Sequence, residues 1–479
     1  MSVSKKTENP DSIYTQQVKQ LIDLVYPQEA GLGSVYEDAR HFFTLTPELE
    51  SHITELKDKL VEIEGGGKRK QAHEEQLRKK LKVAEKKLED ERLARLDRLD
   101  SVALKLLTLC EGDTWQETQH LSAKFLGTVM LLTRGPQGNF ARHHQRLKPL
   151  YKAVLCLRLT DKVLAHEKIT HPYLSRYQGA LERFEGSRKW QDTWREELAL
   201  PLIKACVLQD IGLQSSEAIA ILRGDEGDKD EFRVLEGDDR KQLLKINYYQ
   251  SLRYIKEGLG LPAYIGNDKE ERDRFNAMHE AASAFTMNTV KDAFVGKSGI
   301  GEIIKIPQIY VSIVLSTKPD YTRKELPKGY MLIEQLAKKE ALNPRLAGDF
   351  IKIVGYFPQG FGVTFIPKNE RGIERDQYEC AIVTGLNPKN PAEPMCRVVS
   401  RNLTYISAGQ DDVIERSCNL YFPANRKKLM RIGRERLTEI MDKLSANFTP
   451  DAIDDLVPSY WEPFDYFLFK KHQNLWNRY

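Results

Sequence analysis

From Trp115 to Gly260 every apolar run in this chain repeats at three- and four-residue steps, and that spacing constrains the fold more than any other feature. A strand buried on one face would alternate with period two, so a stretch of this length builds a helical core. Turn markers divide it at Gly135-Pro136-Gln137-Gly138, at Thr170-His171-Pro172 and at Gly224-Asp225-Glu226-Gly227-Asp228. Inside it, an apolar run from Leu198 through Pro201, Leu202, Ile203, Ala205 and Cys206 leads into Val207-Leu208-Gln209-Asp210-Ile211-Gly212-Leu213. That run delivers a carboxylate to a buried place, and Gly212 is expected to end the helix. Further helices are predicted around Met278-His279-Glu280-Ala281-Ala282, from Ile303 to Leu315 after a loop holding Gly296, Gly299 and Gly301, and from Asn343-Pro344 through Ile353.

The flanks have different patterns. Upstream, Val18, Leu21, Ile22 and Val25 mark one face of a helix from Tyr14 to Tyr26. Thr46-Pro47 then opens a helix with Leu49, Ile53, Leu56, Leu60 and Ile63 on its stripe, which Gly65-Gly66-Gly67 closes. A highly charged helix follows to about Cys110, with Leu77, Leu81, Val83, Ala84, Leu88, Leu93 and Leu96 in a narrow stripe. The two can form an antiparallel hairpin solvated on its outer face, or a coiled coil through which two copies pair. Downstream of Gly355 the runs become short and β-prone, at 362–366, 380–384, 397–400 and 403–406, with a turn at Asn387-Pro388. Helices return from about Asn425 to Ala446. The tail holds Tyr460, Trp461, Phe464, Tyr466, Phe467 and Trp476, too aromatic for a free linker, and is expected to dock on this chain or on a partner. The divisions are therefore 1–46, 47–110, 111–356, 357–410 and 411–479.

Charge and cysteine usage narrow the functional classes. Lys plus Arg number 73 against 69 Asp plus Glu, so the formal charge of +4 over 479 residues gives no field that implies a nucleic-acid partner. The six cysteines show no CxxC spacing, and several sit in apolar runs where a buried free thiol is the ordinary reading, which fits a reducing, cytoplasmic compartment. No apolar signal segment and no run of about 20 apolar residues are evident, so no membrane span is expected.

The order of the weak motifs from about residue 150 to 400 resembles the HD-GYP proteins, a branch of the HD phosphohydrolases that hydrolyse the bacterial messenger cyclic di-GMP. The resemblance implies a mainly α chain: an HD-like helical bundle with an N-terminal helical or coiled-coil region and a small C-terminal β extension. It implies a Glu and a His four apart, here Glu167 and His171, before a His-Asp pair. At that pair Gln209 replaces the His, Asp210 matches, and Leu213 stands where active members usually carry a Lys. The single His that should follow falls at Asn247. His-His-Glu becomes Met278-His279-Glu280, no Gly-Tyr-Pro turn follows at Thr286-Met287-Asn288, and the Asp of the last metal helix reads Gln308 within Ile306-Pro307-Gln308-Ile309-Tyr310. The segment Tyr356-Phe357-Pro358-Gln359-Gly360 with Asn387-Pro388 resembles the family's small β extension.

Of eight expected metal ligands four remain, Glu167, His171, Asp210 and His279, and four positions, Gln209, Asn247, Met278 and Gln308, have lost theirs. A carboxamide or thioether binds divalent cations far more weakly than imidazole or carboxylate, and a dinuclear centre that activates a bridging water needs nearly all its ligands. The reading is a catalytically degenerate HD-GYP-like protein of cyclic di-GMP signalling, with no cofactor expected, acting as a nucleotide-responsive regulator or as a module that engages a protein partner. The alternative is a divergent phosphodiesterase holding one residual Fe or Mn ion on Glu167, His171, Asp210 and His279. Buried Gln, Asn and Asp can instead hydrogen-bond one another where metals once sat. The resemblance places phosphate contacts at Lys318, Arg323 and Lys324, beside Tyr321, against the simpler reading of a solvated charged loop. His143-His144 reads as a surface or boundary pair, because neighbours on a helix point about 100° apart. Arg426, Lys427, Lys428, Arg431, Arg434 and Arg436 form a basic run suited to solubility or an anionic surface.

Overall fold

The computed structural model describes residues 10–29, 31–63, 68–134, 138–165, 171–296, 299–444 and 456–477, with backbone only at 68–71. Glu167, the glycines at 65–67, the turn residues 135–137, Thr170 and Ala446 lie outside the described residues. The chain is mainly helical with a small sheet near its C-terminal end.

The first helices pack as their apolar spacing requires. Helix α1 (Ile13–Val25), capped by the Ser12 hydroxyl, buries Val18, Leu21, Ile22 and Val25, and α2 (Val35–Thr44), capped by Ser34, buries Tyr36, Phe42 and Phe43. Helices α3 (Thr46–Ile63) and α4 (Lys68–Cys110) form the hairpin. Ile53, Leu56 and Leu60 meet Leu77 and Ala84 in a small cluster separate from the main core. Val83, assigned to the apolar stripe by spacing, is instead 69 % exposed and points away from α3. The second half of α4 enters the main core with Leu99, Val102, Ala103 and Leu106.

Helix α5 (Trp115–Leu131) and helix α6 (Phe140–Leu164) follow, and α6 is the centre of the bundle. From Leu147 to Asp161 every residue of α6 except the half-buried Lys148 is buried, because α5 and three later helices cover it. His144 is fully buried, so the boundary reading of His143-His144 is corrected: its Nδ1 meets the Ser316 carbonyl at 2.6 Å, and its ring packs edge-on against Tyr321. After α6 come α7 (Arg188–Thr193), α8 (Leu200–Leu208), α9 (Ser216–Arg223), α10 (Gly237–Arg253), α11 (Lys269–Val295), α12 (Glu302–Val314), α13 (Lys328–Lys338) and α14 (Pro344–Val354), of which α8, α12 and α14 pack on it. Asn343 caps α14 through its side-chain oxygen, and Pro344 sits at the first helical position, as its sequence predicts.

Strands β1 (Gly362–Phe365), β2 (Glu379–Val383), β3 (Met395–Val398) and β6 (Asp411–Val413) pair antiparallel in that order, with Ala381 opposite both Val363 and Val398. Strands β4 (Ser400–Arg401) and β5 (Thr404–Tyr405) make a separate two-stranded ribbon. Strand β6 was not expected, since its Asp-Asp-Val sequence carries no strand pattern. Helices α15 (Pro423–Leu429), α16 (Arg434–Leu444) and α17 (Phe464–Phe467) complete the chain. The aromatic tail docks on this chain: Trp461 donates to the Ala381 carbonyl and Trp476 to that of Thr384, each at 3.0 Å. The Trp476 ring lies so close to Gly127 that a Cβ there would come within 2.3 Å of it.

Candidate functional site

Helix α8 owes its position to composition. Seven of its nine residues are buried, so it runs through the interior and ends at Leu208, leaving Gln209 and Asp210 at its C-terminus. The chain then makes a single 3-10 turn over Ile211–Gln214. Gly212 does not end the helix, as its sequence position suggested. A Cβ at Gly212 would sit 2.5 Å from the Asn247 carbonyl oxygen and 2.8 Å from the Ser251 nitrogen, so glycine is what lets α10 approach this turn.

That approach brings Gln209, Asn247 and Gln308, three of the four positions that the sequence resemblance reads as lost ligands, into one hydrogen-bonded centre with Asp210. Gln209, 2 % exposed, donates from Nε2 to Gln308 Oε1 on α12 at 2.6 Å. Asn247 on α10 donates from Nδ2 to Asp210 Oδ1 at 3.1 Å. The Ser251 hydroxyl, one turn along α10, lies 3.1 Å from Asn247 Oδ1 and 3.2 Å from the Gln209 carbonyl, and accepts from the Gly212 N–H at 2.9 Å. These contacts satisfy polar groups that burial would otherwise make costly.

The decisive members come from α6, where Lys148 and Lys152 lie four residues apart on one face. The Lys152 ammonium donates to Gln209 Oε1 at 2.5 Å and stands 3.8 Å from Asp210 Oδ2, and its side chain is 4 % exposed. Lys148 donates to Gln145 at 3.1 Å. Burial lowers its ammonium to about 8, opposed by the Asp210 carboxylate and assisted by the Lys152 charge. Tyr36 of α2 faces the same carboxylate, and its phenol is raised, first by burial and then by Asp210. Asp210 itself keeps 29 % of its side chain exposed, so the centre opens to solvent on that side.

The remaining candidates lie elsewhere. His171 sits in the bend before a 3-10 segment over Leu174–Glu185, and its Nδ1 accepts from the Tyr173 N–H at 3.2 Å. Its imidazole is lowered by burial, and the charge acting on it is Asp292. His279 and Met278 are on α11, where His279 packs on Phe275 at 4.2 Å between ring centres. The imidazole of His279 borders a cavity of about 50 Å³ with Leu96, Pro201, Lys204 and Thr286. It is lowered by burial and then by Lys204, with Asp100 and Glu196 opposing. Neither histidine has Asp210 among its charged neighbours. Among the described residues no three His, Cys, Asp or Glu side chains gather as a metal would require.

Of the three cations assigned to phosphate, Lys318 and Lys324 are exposed and Arg323 is 2 % exposed. The Arg323 guanidinium is held by the Met130 carbonyl at 2.9 Å, by Thr133 Oγ1 at 2.7 Å and by Glu462 at 3.2 Å. It ties α5 to the C-terminal tail, and its place in an open phosphate site is corrected accordingly. In the basic run, Arg426 donates to the carbonyls of Leu420 and Tyr421, while Lys427, Arg431 and Arg434 are exposed.

Sequence reading missed Lys148, Lys152 and Ser251, and also a buried ionic cluster nearby. Arg158 and Asp161 of α6, both at most 1 % exposed, join Glu111 and Arg183 in a network with Arg158–Glu111 at 2.8 Å and Arg183–Asp161 at 2.8 Å. A signal existed. Between Leu147 and Leu164 these charged residues stand in a run otherwise rich in Leu, Val and Ala, where a charge must find a partner or leave the core. Comparison with protein families, with curated proteins and with solved structures gives no match to this chain.

Proposed function

We propose that this chain is a catalytically degenerate HD-GYP-like protein of bacterial cyclic di-GMP signalling, acting as a nucleotide-responsive regulator or protein-interaction module. The observation that carries the reading is the convergence of Gln209, Asp210, Asn247 and Gln308 from three separate elements into one centre. These positions stand 99 residues apart at most in sequence and were paired with ligand positions by motif order alone. Their meeting supports a common ancestry with a metal site. The residues present do not fit a dinuclear metal group, because three are carboxamides and the fourth oxygen ligand faces an ammonium. The small antiparallel sheet after Gly355, where the family carries its β extension, adds to the reading.

The exposed edge of Asp210, with Lys148 beside it, leaves a route by which an anionic ligand can act on the centre without being cut. Cyclic di-GMP binding by calorimetry and hydrolysis should be measured on one sample of the intact chain whose Fe and Mn content is known. The expected result is no turnover at any metal loading, with binding that falls on Lys148→Met in the regulator form of the reading. Turnover abolished by Asp210→Ala overturns the non-enzymatic reading in favour of the divergent phosphodiesterase.

A further inference from the structure

The lost ligands leave a question of charge. A site that evolved around two cations would hold one carboxylate and several oxygen dipoles with nothing positive between them, which is unfavourable in a buried place. In this fold the carboxamide oxygens and one Asp210 oxygen already meet a hydrogen-bond donor from within the centre, and the other Asp210 oxygen faces the Lys152 ammonium at 3.8 Å. Gln209 Oε1 accepts from Lys152, Gln308 Oε1 from Gln209, and Asp210 Oδ1 from Asn247, while Asn247 Oδ1 lies within reach of the Ser251 hydroxyl. The arm that runs through Gln209 to Gln308 starts at one ammonium.

We propose that the Lys152 ammonium is a built-in cation at this centre, taking the place of a metal ion by binding the Gln209 and Asp210 oxygens and excluding a divalent cation from them. The inference rests on the reading of Gln209-Asp210 as a former metal-binding pair. Lys152 is suited to the part by its position and its chemistry. It lies on the fully enclosed face of the central helix, its side chain is 4 % exposed, and its three N–H groups can serve two oxygens at once. A divalent ion approaching Gln209 Oε1 would have to displace the ammonium from a 2.5 Å contact and remain beside it, with Lys148 adding a second repulsive charge. On this account the carboxamides are the consequence of Lys152. A Gln accepts from an ammonium at Oε1 and donates onward from Nε2, as Gln209 does between Lys152 and Gln308.

The inference predicts that restoring ligands alone does not restore a metal site. In the full chain, Gln209→His with Asn247→His should bind Mn2+ no better than the wild type, as read by calorimetry after chelator treatment and by the change in melting temperature on adding MnCl2. Adding Lys152→Met to the same two substitutions should tighten Mn2+ binding at least ten-fold and raise the melting temperature in its presence. Equal Mn2+ affinity with and without Lys152 overturns the inference. So does stoichiometric Mn2+ in the wild type that is lost on Gln209→Ala. If the Met variant does not fold, Lys152→Gln keeps a donor towards Gln209 while removing the charge, and carries the same comparison. Cyclic di-GMP binding by the wild type is a separate measurement, so the functional reading can stand while this one fails.

Discussion

Lys152 and Gln209 lie 57 residues apart in sequence and 2.5 Å apart in space, and their hydrogen bond joins the central helix to the end of the buried helix that delivers Asp210. Removing the carboxamide leaves a buried ammonium with only the more distant Asp210 carboxylate, and leaves Gln308 without its donor. Gln209→Ala should therefore cost about 3 kcal/mol, more than an ordinary surface substitution by several fold. Urea unfolding followed by circular dichroism measures it, and a loss under 1 kcal/mol would mean that the centre contributes little to the fold.

Gly212 is fixed by packing, since its φ is not in the left-handed region and the obstacle is backbone. A methyl group placed 2.5 Å from the Asn247 carbonyl must push α10 away from the 3-10 turn, and α10 carries both Asn247 and Ser251. We expect Gly212→Ala to destabilise by about 2 kcal/mol and to loosen the Asn247–Asp210 contact. Hydrogen exchange of the Gly212 region read against the rest of the chain tests the second part. Uniform exchange change without local loss would contradict it.

The Arg158, Asp161, Arg183 and Glu111 cluster is a buried network in which both Asp161 oxygens face guanidinium groups. Asp161→Asn keeps the shape and removes the charge, leaving two arginines to share Glu111. The expected loss is about 3 to 5 kcal/mol, whereas replacing Arg158 and Asp161 together by Met and Leu should recover part of it. A double substitution as damaging as the single one would show that the charges themselves are required.

His144 gives a pH dependence with a defined sign. Burial lowers its imidazole to about 3 from an ordinary 6.5, so the folded state keeps it neutral where the unfolded chain is protonated. The unfolded state then binds more protons between those values, and stability falls as pH drops from about 6.5 towards 3. Unfolding free energies of the wild type and of His144→Asn, measured from pH 7 to pH 4, should converge as the pH falls. Parallel curves would mean that His144 does not titrate in this way.

The tail belongs to the folded unit. Trp476, 2 % exposed, fills the space above Gly127 and donates to the Thr384 carbonyl, so Trp476→Ala should cost about 3 to 5 kcal/mol through the cavity it leaves. A fall in melting temperature of only one or two degrees would argue that this part of the tail is dispensable.

What the sequence by itself determined is most of the helices, because an apolar stripe at helical spacing has only one way to be buried; α2 and α13 go beyond those that the spacing predicts. It also determined helix starts such as Thr46-Pro47 and Asn343-Pro344, which act within a few residues of themselves. The same local logic fails for β6, whose Asp-Asp-Val strand exists only because Met395–Val398 offers it an edge. It fails for Val83, since the narrow stripe leaves the choice between facing α3 and facing water to the hairpin's registry. Motif order picked out Gln209, Asp210, Asn247 and Gln308, but nothing local says that they meet. Only the tertiary structure decided that they do, that His171 and His279 face other charges, and that Arg323 is an internal tie. It alone supplied Lys152, because the partner of a buried charge is chosen across space, where the cost of leaving it unpaired is settled by whatever the packed helices bring within reach.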